Sequence, residues 1–286
     1  MKALIKEINK NLQLKNILEN KCMHEDDVYI EVKYVGLCRT DLFVSEGIIP
    51  VDFNIIIGHE FSGIVLESKS KYFKKGDKVV VNPYFGERGF MGLHFDGCLQ
   101  EKIIVPAKQI IKNQYLDYKI AAYLEPISAS MAVLKACKNK KKKGSIWGNN
   151  RIAELTYIIL KNEGYNIEWI KDYNVRENQY DYAIETMFEE IMIESIIKSL
   201  KIGGTMIVKS RKTKGTLLFA SQLVSKELTL KCVNYYPFEK AMFWLEKNHS
   251  KIAHLLGEEY HIKEWKKAFQ KAKEGESKKI FIYFGE

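Results

Sequence analysis

Gly144-Ser145-Ile146-Trp147-Gly148-Asn149-Asn150-Arg151-Ile152-Ala153 is the stretch that decides the fold. A short apolar strand ends at Gly148, and a helical pattern begins almost at once, running from Arg151 to Asn162 until Gly164 breaks it. The same rhythm then repeats. Asn166 to Ile170 reads as a strand ending at Asp172, and Asp181 to Glu185 as another. A helix follows with Ile193, Ile196, Ile197 and Leu200 on one face. Gly203-Gly204 reads as a turn into the strand Thr205 to Val208, and a helix from Thr216 to Ser225 leads to the strand Leu228 to Val233. Strands alternating with helices imply a parallel, doubly wound sheet.

Upstream the character differs. Val28, Ile30, Val32 and Tyr34 alternate with Tyr29, Glu31 and Lys33, the period of a strand with one buried face. Phe61 to Leu66 reads as a second strand. Lys78 to Val81 is a third, entered through the turn-like Lys75-Gly76-Asp77, and Gln100 to Pro106 a fourth. A helix from Ile120 to Ala136 is interrupted near its start by Pro126. The tail adds helical stretches around Ala241 and Trp265 and a last strand from Ile280 to Phe284. The expectation is an α/β chain of two domains: a β-rich domain over residues 1–126, completed by 241–286, and a doubly wound domain over 127–240.

The 286 residues, 46% hydrophobic and 28% charged, suit a soluble globular protein with one large or two modest cores. Five scattered cysteines with no CxxC pair argue against a disulfide framework and suit a reducing cytoplasm. Met1 to Asn20 has no apolar signal region, and no segment approaches the roughly 18 apolar residues of a membrane span. The net charge of +9 is spread along the chain. Its one dense run, Lys138 to Lys143, follows a helix, where cations favour the negative end of the dipole. No zinc-finger spacing or aromatic-basic motif points to nucleic acid.

Three short motifs carry chemistry. Gly36-Leu37-Cys38-Arg39-Thr40-Asp41 offers a thiol at a strand end, Gly58-His59-Glu60 an imidazole beside a carboxylate, and Glu125-Pro126 a carboxylate at a helix start. Each alone is ambiguous, since buried cysteines are common and a carboxylate suits any helix N-terminus. Together they meet the need of a catalytic zinc for about three protein ligands and one open position.

GLCRTD, then GHEFSG, GDKVVVNP and EPISASMA, followed by a strand-helix nucleotide fold, resembles the zinc-dependent medium-chain alcohol and polyol dehydrogenases in order and spacing along nearly the whole chain. The resemblance implies a GroES-like catalytic domain and a Rossmann domain. It implies that Cys38 and His59 ligate a catalytic zinc, with Glu60 a ligand or close neighbour that also belongs to the catalytic set. Asp41 would accept the other ring proton of His59, Thr40 would pass the substrate proton outward, and Arg39 would reach the cofactor pyrophosphate. Glu125 stands where simple alcohol dehydrogenases of this kind carry cysteine and polyol relatives carry Glu-Pro, so it would bind the zinc or its water and favour a substrate with several hydroxyls.

The dinucleotide fingerprint G-x-G-x-x-G is reduced here to Gly148-Asn149-Asn150-Arg151-Ile152-Ala153. Only the first glycine stands. Asn150 sits where backbone should approach pyrophosphate; asparagine tolerates left-handed geometry, but its side chain takes space. Arg151 adds a possible phosphate contact and Ile152 lies in the same turn. Asp172, 24 residues past Gly148, stands near the expected place of the carboxylate that holds a ribose 2′-hydroxyl, favouring NAD over NADP.

Two departures from the family stand out. Tyr84 to Asp96 contains no cysteine where relatives carry a structural-zinc lobe, so one catalytic zinc and no structural zinc is expected, with His94 a loop or pocket residue. Only eight residues separate Asp172 from Asp181, too few for a helix and an edge strand, so a five-stranded sheet is expected. The leading expectation is a cytoplasmic, homo-oligomeric (dimeric or tetrameric) oxidoreductase acting on a polyol, sugar alcohol or sugar-phosphate-like alcohol, with no nucleic-acid or membrane partner. The alternatives are a dehydrogenase-derived zinc-binding protein with lost or weak cofactor binding, and a zinc-free quinone or enoyl reductase.

Overall fold

Two kinds of residue pattern give two kinds of sheet. The computed structural model describes residues 1–8, 11–137, 139–172, 176–211, 215–216, 218, 220–275 and 277–285. The chain divides into two compact units, Met1–Glu125 with Phe238–Glu286, and Pro126–Pro237. In chain order the first unit supplies β1 (Lys2–Lys6), β2 (Leu12–Asn16), β3 (Asp27–Gly36), β4 (Ile55–Ile56), β5 (Phe61–Ser68), β6 (Lys78–Val81), β7 (Lys102–Pro106) and β8 (Ile110–Lys112). The second supplies β9 (Gly144–Trp147), β10 (Ile167–Ile170), β11 (Tyr180–Glu185), β12 (Leu200–Val208) and β13 (Thr229–Cys232). The chain then returns with β14 (Leu256–His261) and β15 (Lys279–Tyr283). The helices are α1 (Arg39–Ser45), α2 (Tyr118–Ala121), α3 (Leu124–Met131), α4 (Arg151–Asn162), α5 (Glu190–Ser199), α6 (Ala220–Ser225), α7 (Phe238–Ile252) and α8 (Trp265–Glu274).

In the first unit the long strand β3 organises a sheet of order β14-β15-β3-β5-β6-β8. Its first five residues pair with β7 and its last three with β15, while β5 covers its other edge. Val28, Ile30 and Val32 face a core that also takes Phe61, Val65 and Ile282. The small sheet β2-β1-β4 was not legible in advance, because lysines interrupt both strands of its hairpin. The strand β14 is not expected either; none of it is fully buried, and its two glutamates are exposed.

The second unit is a parallel sheet of order β10-β9-β11-β12-β13. Helices cover both of its faces, so the central strands are buried even where they carry polar residues. β9 is buried throughout, and β11 almost so. Ala153 and Leu160 of α4 pack with Ile146, Ile167 and Ile184, while Ile193, Ile196 and Ile197 of α5 join a second cluster with Ala183 and Met206. Among the described residues the sheet has five strands; Tyr173 to Val175, in the short Asp172–Asp181 connection, lie outside them.

Two expectations need correction. β12 begins earlier than expected, at Leu200, but its continuous pairing with β11 starts at Thr205, after an irregularity between Tyr180–Leu200 and Tyr182–Thr205. Gly203 takes left-handed backbone there, at φ 71°, and a Cβ on Gly204 would lie 2.8 Å from the Lys201 carbonyl, so the two glycines permit the tight reversal. The helix expected from Ile120 to Ala136 is split into α2, α3 and a 3₁₀ turn over Ala132–Lys135, with Pro126 accommodated in the first turn of α3. Of the helix expected from Thr216, Ala220–Ser225 is helical; Leu217 and Phe219 lie outside the described residues. Among the described residues no helix is long and apolar enough to cross a membrane.

Candidate functional site

The first unit converges on the end of β3. The Gly36 amide donates to the Glu60 carbonyl at 2.8 Å and the Leu37 amide to the Ile280 carbonyl at 2.9 Å, fastening three chain segments together. Cys38 then opens α1. The Asp41 carboxylate, 1% exposed, accepts the Cys38 amide at 2.8 Å and the Gly58 amide at 3.2 Å. One buried side chain thus holds both the cysteine loop and the histidine loop. Gly58 has φ 94°, and a Cβ there would meet Leu99 at 2.9 Å and Cys98 Sγ at 3.1 Å, so only glycine suits the turn into His59.

Cys38, His59 and Glu60 each offer a donor atom, and these atoms lie within 4.8 Å of one another; among the described residues this is the group of three or more such side chains. His59 Nε2 is 3.9 Å from Glu60 Oε1, and His59 Nδ1 is 3.4 Å from Asp41 Oδ1, too long for a good hydrogen bond. Thr40 Oγ1 lies 3.8 Å from Cys38 Sγ. The Phe90 ring packs 5.0 Å from the His59 ring. Arg39 is exposed and Thr40 half-buried. Glu125 is buried in the first turn of α3; its charge acts on Glu60, but it lies outside the close group of three.

Lys279, the first residue of β15, is fully buried and ion-pairs with Glu60 Oε2. Gly36 makes room for the pair, since a Cβ there would fall 2.6 Å from Lys279 Cε and 2.8 Å from Glu60 Oε2. Sequence reading missed Lys279 because a lysine beside Lys278 near the chain end looks like a solvated charge. The signal that could have found it is the apolar strand Ile280 to Ile282 that it begins.

Burial pushes the Glu60 carboxyl up; the Lys279 ammonium opposes this, and the Glu125 charge adds to it. Burial disfavours a charged His59, but the Asp41 carboxylate and Cys38 outweigh it and raise His59 well above the ordinary imidazole value. His59 Nδ1 and Glu60 Oε1 are buried without a hydrogen-bond partner. Unsatisfied buried polar atoms of this kind call for a compensating group. A thiol, an imidazole and a carboxylate at this spacing fit a zinc ion, whose usual ligands they are.

The thiols make this testable. Cys22 and Cys232 are exposed, Cys38 partly so, and Cys98 and Cys137 buried. Burial raises Cys98 and pushes Cys137 up to about 12, which leaves both unreactive in the folded protein. A disulfide reagent should titrate three thiols in native metal-free protein, two after zinc is added, and all five in denaturant. Three reactive thiols with zinc present would place the metal away from Cys38.

In the second unit Gly148 and Asn150 form the turn between β9 and α4. Asn150 is in extended backbone, φ −146° and ψ 164°, not the left-handed region. Its Oδ1 accepts the Ile152 and Ala153 amides, each at 2.9 Å. Arg151 and Ile152 are half-buried and Asp172 is exposed just past β10. His94 accepts the Phe90 amide at Nδ1 and so orders its own loop. A further buried carboxylate went unnoticed in the sequence. Glu185, at the end of β11, accepts from the Phe188, Lys209 and Ser210 amides and the Ser210 hydroxyl at 2.7–2.9 Å. It ties two loops together at the carboxyl edge of the sheet, the edge where such folds form their ligand crevice.

Residues 24–115 match the alcohol dehydrogenase GroES-like domain. Along most of its length the chain is 25% identical to a D-xylulose reductase of Morganella morganii, covering 96% of this chain and 98% of that one. It is 24% identical to a sorbitol dehydrogenase of Halalkalibacterium halodurans over 89% of this chain and 91% of that one. The structure of 2R,3R-butanediol dehydrogenase from Bacillus subtilis shares the fold with a TM-score of 0.88 at 23% identity, covering 99% of each chain.

Proposed function

We propose that this chain, a member of the zinc-type medium-chain alcohol and polyol dehydrogenase family, transfers hydride between a polyol or sugar alcohol and a nicotinamide dinucleotide at one zinc site formed by Cys38, His59 and a glutamate carboxylate. The observation that carries the reading is the convergence of the Cys38, His59 and Glu60 donor atoms within 4.8 Å, in a domain of alcohol dehydrogenase type.

When bound, the zinc polarises the substrate hydroxyl and eases loss of its proton, and the nicotinamide accepts the hydride. The protein's own groups do the rest. Asp41 faces His59 Nδ1, so the ring proton stays on that nitrogen and the Nε2 lone pair is left for the metal. Thr40, beside Cys38 Sγ, takes the substrate proton at Oγ1 and passes it outward. Glu60, held by Lys279, and Glu125 supply carboxylates to the metal side of the site. Their polarity suits a substrate with several hydroxyls. Phe90 packs against the His59 ring at a tilt and helps to fix its orientation. Arg39, Arg151 and Ile152 contact the dinucleotide, and Asp172 accepts a ribose 2′-hydroxyl, which supports NAD over NADP. Among the described residues β13 is the last strand of its sheet, and its position there, with Leu230 39% exposed, supports pairing of two copies into a homo-oligomer.

The test is a steady-state assay of zinc-loaded and chelated protein with NAD and NADP, against sorbitol, xylitol, 2,3-butanediol and ethanol. NAD reduction by the polyols, lost on chelation and restored by zinc, is expected. Absence of turnover with every pair would refute the reading.

A further inference from the structure

The one glycine left in the phosphate turn is explained by an internal contact. A Cβ on Gly148, at φ 126°, would fall 2.3 Å from Thr186 Oγ1 and 2.9 Å from Asn150 Nδ2. Those two atoms are themselves joined, Asn150 Nδ2 donating to Thr186 Oγ1 at 2.8 Å, and the Thr186 hydroxyl donating to the Trp147 carbonyl at 2.7 Å. The direction of this chain fixes the amide. Thr186 spends its only proton on Trp147, so its oxygen accepts from Asn150; the other end of the Asn150 amide faces two backbone N–H groups and must be the oxygen.

The consequence falls on helix α4. Its first N–H groups have no partner within the helix, and in a dinucleotide-binding turn they receive the pyrophosphate. Here Asn150 Oδ1 takes the Ile152 and Ala153 amides, each at 2.9 Å, and the Glu154 amide bonds the Asn150 carbonyl at 3.1 Å. Asn150 is only 9% exposed. A phosphate oxygen arriving at this turn meets an acceptor oxygen in the place where it needs a donor.

We infer that Asn150 is an internal occupant of the phosphate turn, and that a dinucleotide binds only when the Asn150 amide leaves the first turn of α4. The inference rests on the reading that this unit takes a nicotinamide dinucleotide. Asn150 then sets cofactor affinity by competing for the Ile152 and Ala153 amides. Replacing it should strengthen binding, whereas a residue that contacted the cofactor would weaken binding when removed.

The test is calorimetric titration of NADH into zinc-loaded wild type, Asn150→Gly and Asn150→Asp, each checked for an unchanged melting profile. Glycine is nearly as good a helix cap as asparagine, so Asn150→Gly should fold normally. Freeing two hydrogen-bond donors for the phosphate should tighten NADH by on the order of tenfold or more in Asn150→Gly. Asn150→Asp keeps the cap and adds a negative charge, so its affinity should fall by a similar factor. Equal or weaker binding by Asn150→Gly, or no binding by any form, would overturn the inference. Turnover distinguishes the two readings. Polyol oxidation by wild type, with Asn150→Gly no tighter than wild type, refutes the internal occupant and leaves hydride transfer standing. Tightening in Asn150→Gly without turnover by any form supports the occupant and refutes hydride transfer.

Discussion

Cys38→Ser should fold as the wild type does, bind almost no zinc, and turn over polyol at least about a thousandfold more slowly. The fold should survive because Cys38 is held through its backbone amide by Asp41, and serine keeps a side-chain acceptor for the Asp41 amide at the start of α1. The metal should not survive. Serine is a poor zinc ligand, and only His59 and carboxylates would remain. A Lewis acid contributes several kcal/mol to this kind of transition state, and each 1.36 kcal/mol is tenfold in rate, hence a loss on the order of a thousandfold. Metal analysis, circular dichroism and steady-state kinetics on one preparation check all three parts. Retained zinc with retained turnover would remove Cys38 from the site.

The second large effect is on stability. Lys279→Met leaves Glu60 buried beside Glu125 with only the more distant His59 ring, 3.9 Å away, to offset its charge. Breaking a buried pair by removing one partner typically destabilises by about 3–5 kcal/mol, and neither side chain here is exposed enough for solvent to screen the loss. Urea unfolding of metal-free protein should register it. The sign of its pH dependence follows from Glu60, whose carboxyl burial already pushes upward. Without the ammonium, the folded protein takes a proton on Glu60 more readily than the unfolded chain does. The destabilisation is therefore greatest at high pH and shrinks as pH falls through the raised Glu60 value. Glu60→Gln in the Lys279→Met background should recover part of the loss at high pH. A single variant as stable as wild type at pH 8 would show that Lys279 does not neutralise Glu60.

Much of this was legible because the local signals agree with the global ones. The strand-turn-helix at Gly144 to Asn162 reads correctly since the pattern is strong and Asn150 is a good cap. The strand at Val28 reads correctly as a strand because Val28, Ile30 and Val32 are fully buried, but the expected faces hold only in part: Tyr29 is buried as well, and past a register shift Tyr34 is half-buried and Val35 buried. The elements that were not legible are those whose residues contradict their setting. Lys279 is charged and fully buried, and β1 and β2 carry lysines on short strands. The site was legible as a set of residues but not as a geometry. Cys38, His59 and Glu60 converge, whereas Glu125 reaches them by its charge. Asn150, read as a position for a phosphate, is the side chain that fills it. That last difference depends on Thr186, which is 36 residues away and invisible from the turn itself.

The most direct measurement is an anomalous difference map at the zinc absorption edge from crystals of the zinc-loaded protein. A single strong peak bounded by Cys38 Sγ, a ring nitrogen of His59 and a glutamate oxygen is the expected result, with no second peak near Tyr84 to Asp96. No peak between Cys38 and His59, or a zinc ion bound only elsewhere on the chain, would contradict the proposed catalytic centre.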